Sequence, residues 1–208
     1  MIDDDQPIGH LLSRRELVTL LGAAGAAWLM PGVLNACVVR PQQTEGPFFF
    51  ESPKRADIRS GQRGTALGLT LLVSRLKGTN CEPLPGAQVD LWQCDAEGNY
   101  SETNLRGYQI ADNRGAARFV TLYPGWYPGR TVHVHFKIRQ DDREFTSQLY
   151  FDDALTDVVH REAPYGNSRR RTRNQNDGIF RRGGEQLKLD VTRSSDVLAA
   201  TFSIAMQF

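Results

Sequence analysis

Charge of one sign is the first thing this sequence lacks: 25 lysines and arginines face 24 aspartates and glutamates, a formal +1. With no basic excess there is no bulk attraction to a phosphate backbone or an anionic lipid surface, so nucleic acid is not an expected partner. Long apolar runs are missing as well. The uninterrupted stretch from Leu20 to Met30 is shorter than the ~20 residues a bilayer-spanning helix needs, which argues against a spanning anchor. No internal repeat stands out, and no long helical period follows the first thirty-odd residues, so neither a solenoid nor a helical bundle is expected. Histidine is scarce, at four, and cysteine scarcer, at three. At 208 residues the chain is long enough for one well-buried core and too short for two sizeable domains.

What is there begins with a leader. An acidic start, then Ser13-Arg14-Arg15-Glu16-Leu17-Val18, the Gly/Ala/Leu stretch to Met30 and Pro31-Gly32 have the layout of a twin-arginine export signal. An amphipathic helix from Ser13 fits less well, because Leu20 to Met30 has no polar face. The expected division is residues 1–37 as signal and 38–208 as the exported domain, periplasmic or extracellular. That route moves folded proteins, which suits a domain that acquires a metal before export. In an oxidising compartment Cys81 and Cys94 are placed to bridge a short loop, worth about 3 kcal/mol of loop entropy, although spacing alone leaves the pairing open. Cys37 is then left over. Leu34-Asn35-Ala36 before it resembles a lipobox, so Cys37 either carries a lipid anchor after cleavage or stays free after ordinary cleavage near Ala36.

Residues 40–63 are rich in Pro, Gln, Gly and charge, with an aromatic patch at Phe48-Phe49-Phe50, and read as an extended N-terminal arm laid over a core. Short alternating runs follow. Leu67, Leu69, Leu71 and Val73 share one strand face, and Ala87, Val89 and Leu91 share the next, with the turn Pro83-Leu84-Pro85-Gly86 between them. Further runs lie at 117–122, 131–139, 145–151 and 186–191, and Leu198, Ala200, Phe202, Ile204, Met206 and Phe208 alternate to the end. Many short strands with Gly/Pro turns predict an all-β fold, an antiparallel β-sandwich.

In a strand from Val132 to Ile138, Val132, Val134, Phe136 and Ile138 point to one face while His133 and His135 point together to the other, where they can share a metal ion. An H-x-H pair alone is more often two half-buried histidines with ordinary hydrogen bonds. Its company changes that weighting. Tyr127 lies just upstream in a Gly-Trp-Tyr-Pro-Gly turn, and Tyr100 closes the turn after the Ala87 to Gln93 strand. Two phenols that ionise beside a cation cancel much of a ferric charge, and hard anionic oxygen suits Fe(III) better than sulfur does.

Pro85-Gly86-Ala87 with Asp90-Leu91-Trp92-Gln93-Cys94-Asp95-Ala96-Glu97-Gly98-Asn99-Tyr100, then Leu105-Arg106-Gly107-Tyr108-Gln109, Tyr123-Pro124-Gly125-Trp126-Tyr127, His133-Val134-His135-Phe136 and Thr146-Ser147-Gln148-Leu149-Tyr150-Phe151, together resemble the intradiol ring-cleavage dioxygenases, the catechol and protocatechuate 3,4-dioxygenase type. The likeness runs from about Gln43 to the C-terminus. It implies non-haem Fe(III) held by Tyr100, Tyr127, His133 and His135, with Arg130 and Gln148 beside the substrate ring. It implies a catechol substrate bound through both oxygens, Tyr127 displaced and taking a proton, Arg130 stabilising negative charge, and O2 consumed to give a muconate-type diacid. One departure is the five residues between Tyr127 and His133, where the better known enzymes carry a longer loop. The chain is closer to short, secreted members, and a more open pocket is expected.

Other residues carry weaker expectations. Trp126 and Tyr123 either line the substrate slot or pack; Tyr108 competes with Tyr100 as a ligand; His160 reads as a surface or loop residue; Arg169 to Arg173 read as a solvated loop. Two other functions stay open. An exported aromatic- or carbohydrate-binding β-sandwich would leave the histidines without a metal. A zinc hydrolase would want an Asp or Glu base beside the pair, and none is obvious.

Overall fold

The computed structural model describes residues 38–166, 171–194 and 197–207. The proposed leader with Cys37, and also Arg169, Arg170 and Phe208, lie outside the described residues. Among the described residues nine strands form two sheets: β1 (Ala66–Lys77), β2 (Asn80–Pro83), β3 (Gln88–Trp92), β4 (Arg106–Ile110), β5 (Ala116–Leu122), β6 (His133–Gln140), β7 (Arg143–Tyr150), β8 (Val191–Ser194) and β9 (Val197–Met206). In the first sheet β1 is central, with β9 and then β8 on one edge and β5 and β2 sharing the other. The second sheet runs β4-β3-β6-β7 and is antiparallel throughout. The sandwich is as expected, with one exception in pairing: β1 and β9 are parallel over ten registered pairs, Ala66↔Val197 to Arg75↔Met206.

The alternation read from the sequence is the one that builds the core. Leu67, Leu69, Leu71 and Val73 of β1 meet Val89, Leu91, Val134, Phe136 and Ile138 of the second sheet in one buried cluster. Some expectations need correction. The run at 186–191 is a tight turn (Gly184–Leu187) followed by extended chain; Leu187 and Leu189 are buried there one by one, and only Val191 opens a strand. The short β2 and the helix α1 (Asp153–Val159), capped by the Asp152 carboxylate on the Ala154 N–H, carry too few residues to show a period. Cys94 is a free, buried thiol, pushed up to about 12 by burial, so it is not the partner of the disulfide-bonded Cys81. Among the described residues no helix is long and apolar enough to cross a membrane.

The arm does what its composition suggests, over a particular surface. It lies on the outer face and both edges of the second sheet. The Gln43 N–H donates to the Thr146 carbonyl on β7, and the Arg55 N–H donates to Tyr108 on β4. Between them Lys137 on β6 pairs with Glu45 and lies 4.2 Å over the Phe49 ring, while Arg139 pairs with Glu51 and Asp90. The second sheet is therefore covered on both faces.

Candidate metal centre

Register places one row of side chains across the whole outer face of that sheet. Arg106 on β4 is opposite Trp92 on β3, Trp92 is opposite His135 on β6, and His135 is opposite Gln148 on β7. The next row sets His133 opposite Tyr150. Trp92 stacks on the His135 ring at 5.0 Å and 10° and holds its plane. Both histidines are buried, at 2% exposure each.

The two tyrosines come from loops that clasp one another. The Gly125 N–H donates to the Asp95 carbonyl at 2.9 Å. A Cβ on Gly125 would lie 2.4 Å from that oxygen, and one on Gly98, at φ +91°, would lie 2.3 Å from the Trp126 carbonyl. Only glycine lets these backbones approach so closely, which is why both turns of the recognised motifs carry it. The Tyr100 ring is then stacked on Phe48 of the arm at 4.2 Å and meets Tyr127 edge-on at 5.7 Å. Arg106, fully buried, locks this corner: its guanidinium donates to the Ser101 and Phe48 carbonyls, one beside Tyr100 in sequence and one beneath its ring.

Three of the four predicted ligands bring donor atoms together, and the Tyr100 ring lies beside them, 5.7 Å from that of Tyr127 and 6.3 Å from that of His135. His133 Nε2 is 3.1 Å from His135 Nε2 and 3.2 Å from the Tyr127 hydroxyl. Two donor atoms each about 2.1 Å from one ion, and roughly 90–110° apart as seen from it, lie about 3.0–3.4 Å from each other. The observed spacings match that range. The Tyr100 hydroxyl is buried with no hydrogen-bond partner, an arrangement that costs roughly 1–3 kcal/mol unless a cation or another partner engages the oxygen. His133 Nδ1 lies 2.6 Å from the Thr131 carbonyl, which can only accept, so the proton sits on Nδ1 and the Nε2 lone pair faces the cluster. Burial, then the positive charge of Arg130, pushes His133 down to about 3; burial, then His133, pushes His135 well below the ordinary histidine value. Both imidazoles are neutral donors at neutral pH. Burial raises both phenols, with Arg130 opposing the rise at Tyr127. A bound cation reverses that preference. The donor set of two ionisable phenols and two neutral imidazoles thus fits, by its chemistry, a hard, highly charged cation. Among the described residues no group of three or more His, Cys, Asp or Glu is placed to hold a metal, so the phenols are what make this set complete.

Arg130 and Gln148 lie next to the histidine pair. Arg130 Nη2 donates to Gln148 Oε1, Arg130 Nη1 lies 3.4 Å from His133 Nε2, and Gln148 Nε2 donates to the Thr44 carbonyl of the arm at 2.7 Å. Asp177 completes the group and was not foreseen. Its Oδ2 accepts from Arg130 Nε at 2.9 Å and from the Thr131 N–H at 2.8 Å. It lies 47 residues from Arg130 in no recognisable motif, and only folding brings it there.

Other residues weighed from sequence fall elsewhere. Tyr123 is fully buried with its hydroxyl 2.7 Å from Thr156 Oγ1, so its packing role stands and it lines no slot. Tyr108 sits on the edge strand β4 opposite Asp90. His160, expected at the surface, is 4% exposed, stacked on Tyr165 at 5.0 Å, with Nε2 3.0 Å from the Pro124 carbonyl. It became buried because it caps α1 directly beneath the Tyr127 loop. Arg171, expected in a solvated loop, is buried and paired with Asp153 and Asp157, whereas Arg173 is half-buried and paired with Asp157.

The chain is similar to known proteins. A family profile described as dioxygenase matches residues 44–161, more than half of the chain. A hydroxyquinol 1,2-dioxygenase of Corynebacterium glutamicum is 29% identical over 61% of this chain and 46% of its own length; a catechol 1,2-dioxygenase of Candida albicans is 28% identical over 45% and 37%. This chain therefore spans less than half the length of either relative. Among solved structures, an intradiol ring-cleavage dioxygenase from Tetranychus urticae superposes with a TM-score of 0.77 at 30% identity, covering 82% of this chain and 95% of that one. The dioxygenase domain of a dioxygenase carbohydrate-binding protein fusion from Streptomyces sp. SirexAA-E gives 0.65, also at 30% identity, covering 82% and 99%. The chain belongs to the intradiol ring-cleavage dioxygenase family.

Proposed function

We propose that this protein holds non-haem Fe(III) through Tyr100, Tyr127, His133 and His135 and uses O2 to cleave a catechol-type ring between its two oxygen-bearing carbons, giving a muconate-type diacid. The observation that carries this reading is that His135 Nε2 and the Tyr127 hydroxyl each lie within 3.2 Å of His133 Nε2, beside a buried Tyr100 hydroxyl without a hydrogen-bond partner. Ferric iron, when bound, supplies the charge that favours phenolate over phenol and draws electron density from the diol ring. The chain does the rest. Tyr127 is only half-buried, whereas both histidines and the Tyr100 hydroxyl are enclosed, so it is the side chain with room to swing away and accept a diol proton on its oxygen. Arg130 turns Nη1 toward the cluster, where it stabilises negative charge developing on the ring oxygens. Trp92, Phe48 and the arm exclude water from the back of the site.

Iron analysis of the purified protein combined with oxygen uptake on a panel of catechols tests the reading. About one iron per chain, a visible phenolate-to-iron band and stoichiometric O2 consumption are expected; a folded, colourless, iron-free protein that binds aromatics or glycans unchanged would overturn it. Tyr127→Phe should keep the iron, shift the band and lower turnover by roughly 10²–10⁴-fold. Unchanged colour and rate would remove Tyr127 from the site.

We also infer that the leader, residues 1–37, directs export. The Ser13-Arg14-Arg15 layout supports this, and a disulfide at Cys81 suits an oxidising compartment. Arg14→Lys with Arg15→Lys should leave the protein in the cytoplasm, as read by fractionation.

A further inference from the structure

Arg130 is held on two sides. Its Nε donates to Asp177 Oδ2, its Nη2 donates to Gln148 Oε1, and the remaining nitrogen, Nη1, faces His133 Nε2 at 3.4 Å. Asp177 is itself a fixed point, at 1% exposure. Oδ2 also takes the Thr131 N–H, and Oδ1 takes the N–H groups of Ile179 at 2.7 Å and Phe180 at 3.1 Å. Burial opposes its ionisation, but those N–H groups and Arg130 outweigh it and hold the carboxyl below the ordinary aspartate range. A carboxylate with four donors around it does not rotate, and it fixes both Arg130 and the residue that orients His133. Arg130 is only three residues from His133 and sits in an otherwise exposed turn after Gly129, so nothing local restrains it.

We infer that Asp177 is the positioning residue that aims the Arg130 guanidinium at the diol oxygens of the substrate. This rests on the function proposed above. Asp177 touches neither substrate nor metal ligand side chain and acts through Arg130. Its chemistry also states what is recognised: a guanidinium with Nε and Nη2 occupied offers the paired N–H bonds of Nη1 to an anionic oxygen, so the substrate is selected as it ionises and not as a neutral phenol.

The test is a double-mutant cycle on the iron-loaded protein, read as the affinity for 4-nitrocatechol without oxygen, by absorbance, and as kcat and KM with catechol. Asp177→Asn keeps an oxygen for Ile179 and Phe180 but turns an amide donor toward Arg130 Nε. It should retain iron and the resting colour while weakening nitrocatechol binding roughly 10- to 100-fold, in the range seen when residues supporting a site are removed. Arg130→Met should weaken it as much, and the double variant no further. Multiplying effects in the double variant, or Asp177→Asn binding as wild type does, would overturn the inference. Should Asp177→Asn not fold, Arg130→Lys decides: it keeps the charge but lacks the fork that Asp177 holds, so it must bind as poorly as Arg130→Met, and wild-type affinity would overturn the proposal. Failure of the wild-type protein to hold iron or bind nitrocatechol would instead strike the proposed function itself.

Discussion

From Ala66 to Val73 of β1 every second residue is buried and the ones between stay partly open, whereas along β6 all six residues from His133 to Ile138 are buried. The difference lies outside the strands. The first sheet turns its outer face to solvent, with Thr70, Arg118 and Thr201 on it; the second carries the arm, whose Glu45, Phe49 and Glu51 engage Lys137 and Arg139. Covering a sheet face normally favours apolar residues, because an unpaired buried polar group is costly. Here the covered face carries His133, His135, Gln148, Lys137 and Arg139, each with a partner at hand or a place in the convergent cluster. One sheet supplies the rigid backing, and the other carries the predicted ligand histidines on its covered second face.

The sharpest way to break this comparison is to truncate one residue on each sheet. His135→Ala removes one of the two nitrogens that face each other at 3.1 Å and leaves the Trp92 ring without its stacking partner. Iron content should fall more than tenfold and oxygen uptake should vanish, measured by metal analysis and an oxygen electrode, with far-ultraviolet circular dichroism unchanged. Retained iron and activity would mean that the second sheet's outer face is not the seat of the chemistry.

Leu71→Ala is the counterpart. Leu71 is fully buried on β1, between β5 and β9, and its loss should cost roughly 2–5 kcal/mol in denaturant unfolding. At temperatures where the variant stays folded, colour and nitrocatechol affinity should be those of the wild type. A variant that lost colour before it lost structure would show the two sheets coupled more tightly than their division of labour implies.

The same contrast separates what the sequence discloses from what it hides. Alternation exposes Leu67 to Val73 and Val132 to Ile138 as strands because hydrophobic period depends on neighbours in the chain, and the H-x-H spacing puts two imidazoles on one face for the same reason. Tyr100, Tyr127, Arg130 and Gln148 are legible through the order of their motifs. The approach of the Tyr100 and Tyr127 loops depends on Gly98 and Gly125, which permit the contact but do not announce it. Asp177, His160 and Arg171 were hidden or misplaced because their partners lie 47, 36 and 14 to 18 residues away, across loops whose paths no periodicity records. The Cys81 and Cys94 pairing failed for a related reason: proximity along the chain says nothing of Cys94 pointing into the Gly125 turn.

The smallest expected effect concerns the layer beneath the Tyr127 loop, where His160 contacts the Pro124 carbonyl and stacks on Tyr165, whose hydroxyl donates to the Tyr123 carbonyl. Burial, with the positive charge of Arg171 acting in the same direction, holds His160 below its ordinary pKa of 6.5, although the hydrogen bond to Pro124 and the Asp157 charge oppose this. The unfolded chain therefore takes up a proton near pH 6.5 that the folded chain refuses. Stability from this residue is complete above pH 6.5 and is lost as the pH falls through 6.5 toward the lower folded value. His160→Gln cannot take up that proton in either state. Its stability deficit, measured by urea unfolding at pH 8, 6.5 and 5.5, should be largest at pH 8 and shrink below pH 6.5 by no more than about 1.4 kcal/mol per pH unit, the limit for one proton. His133 and His135 are depressed by the same cause and keep a residual slope of the same sign in the variant. A deficit that stays constant across the series would mean that His160 titrates alike in both states, and that the support under the Tyr127 loop is packing without a charge-sensitive part.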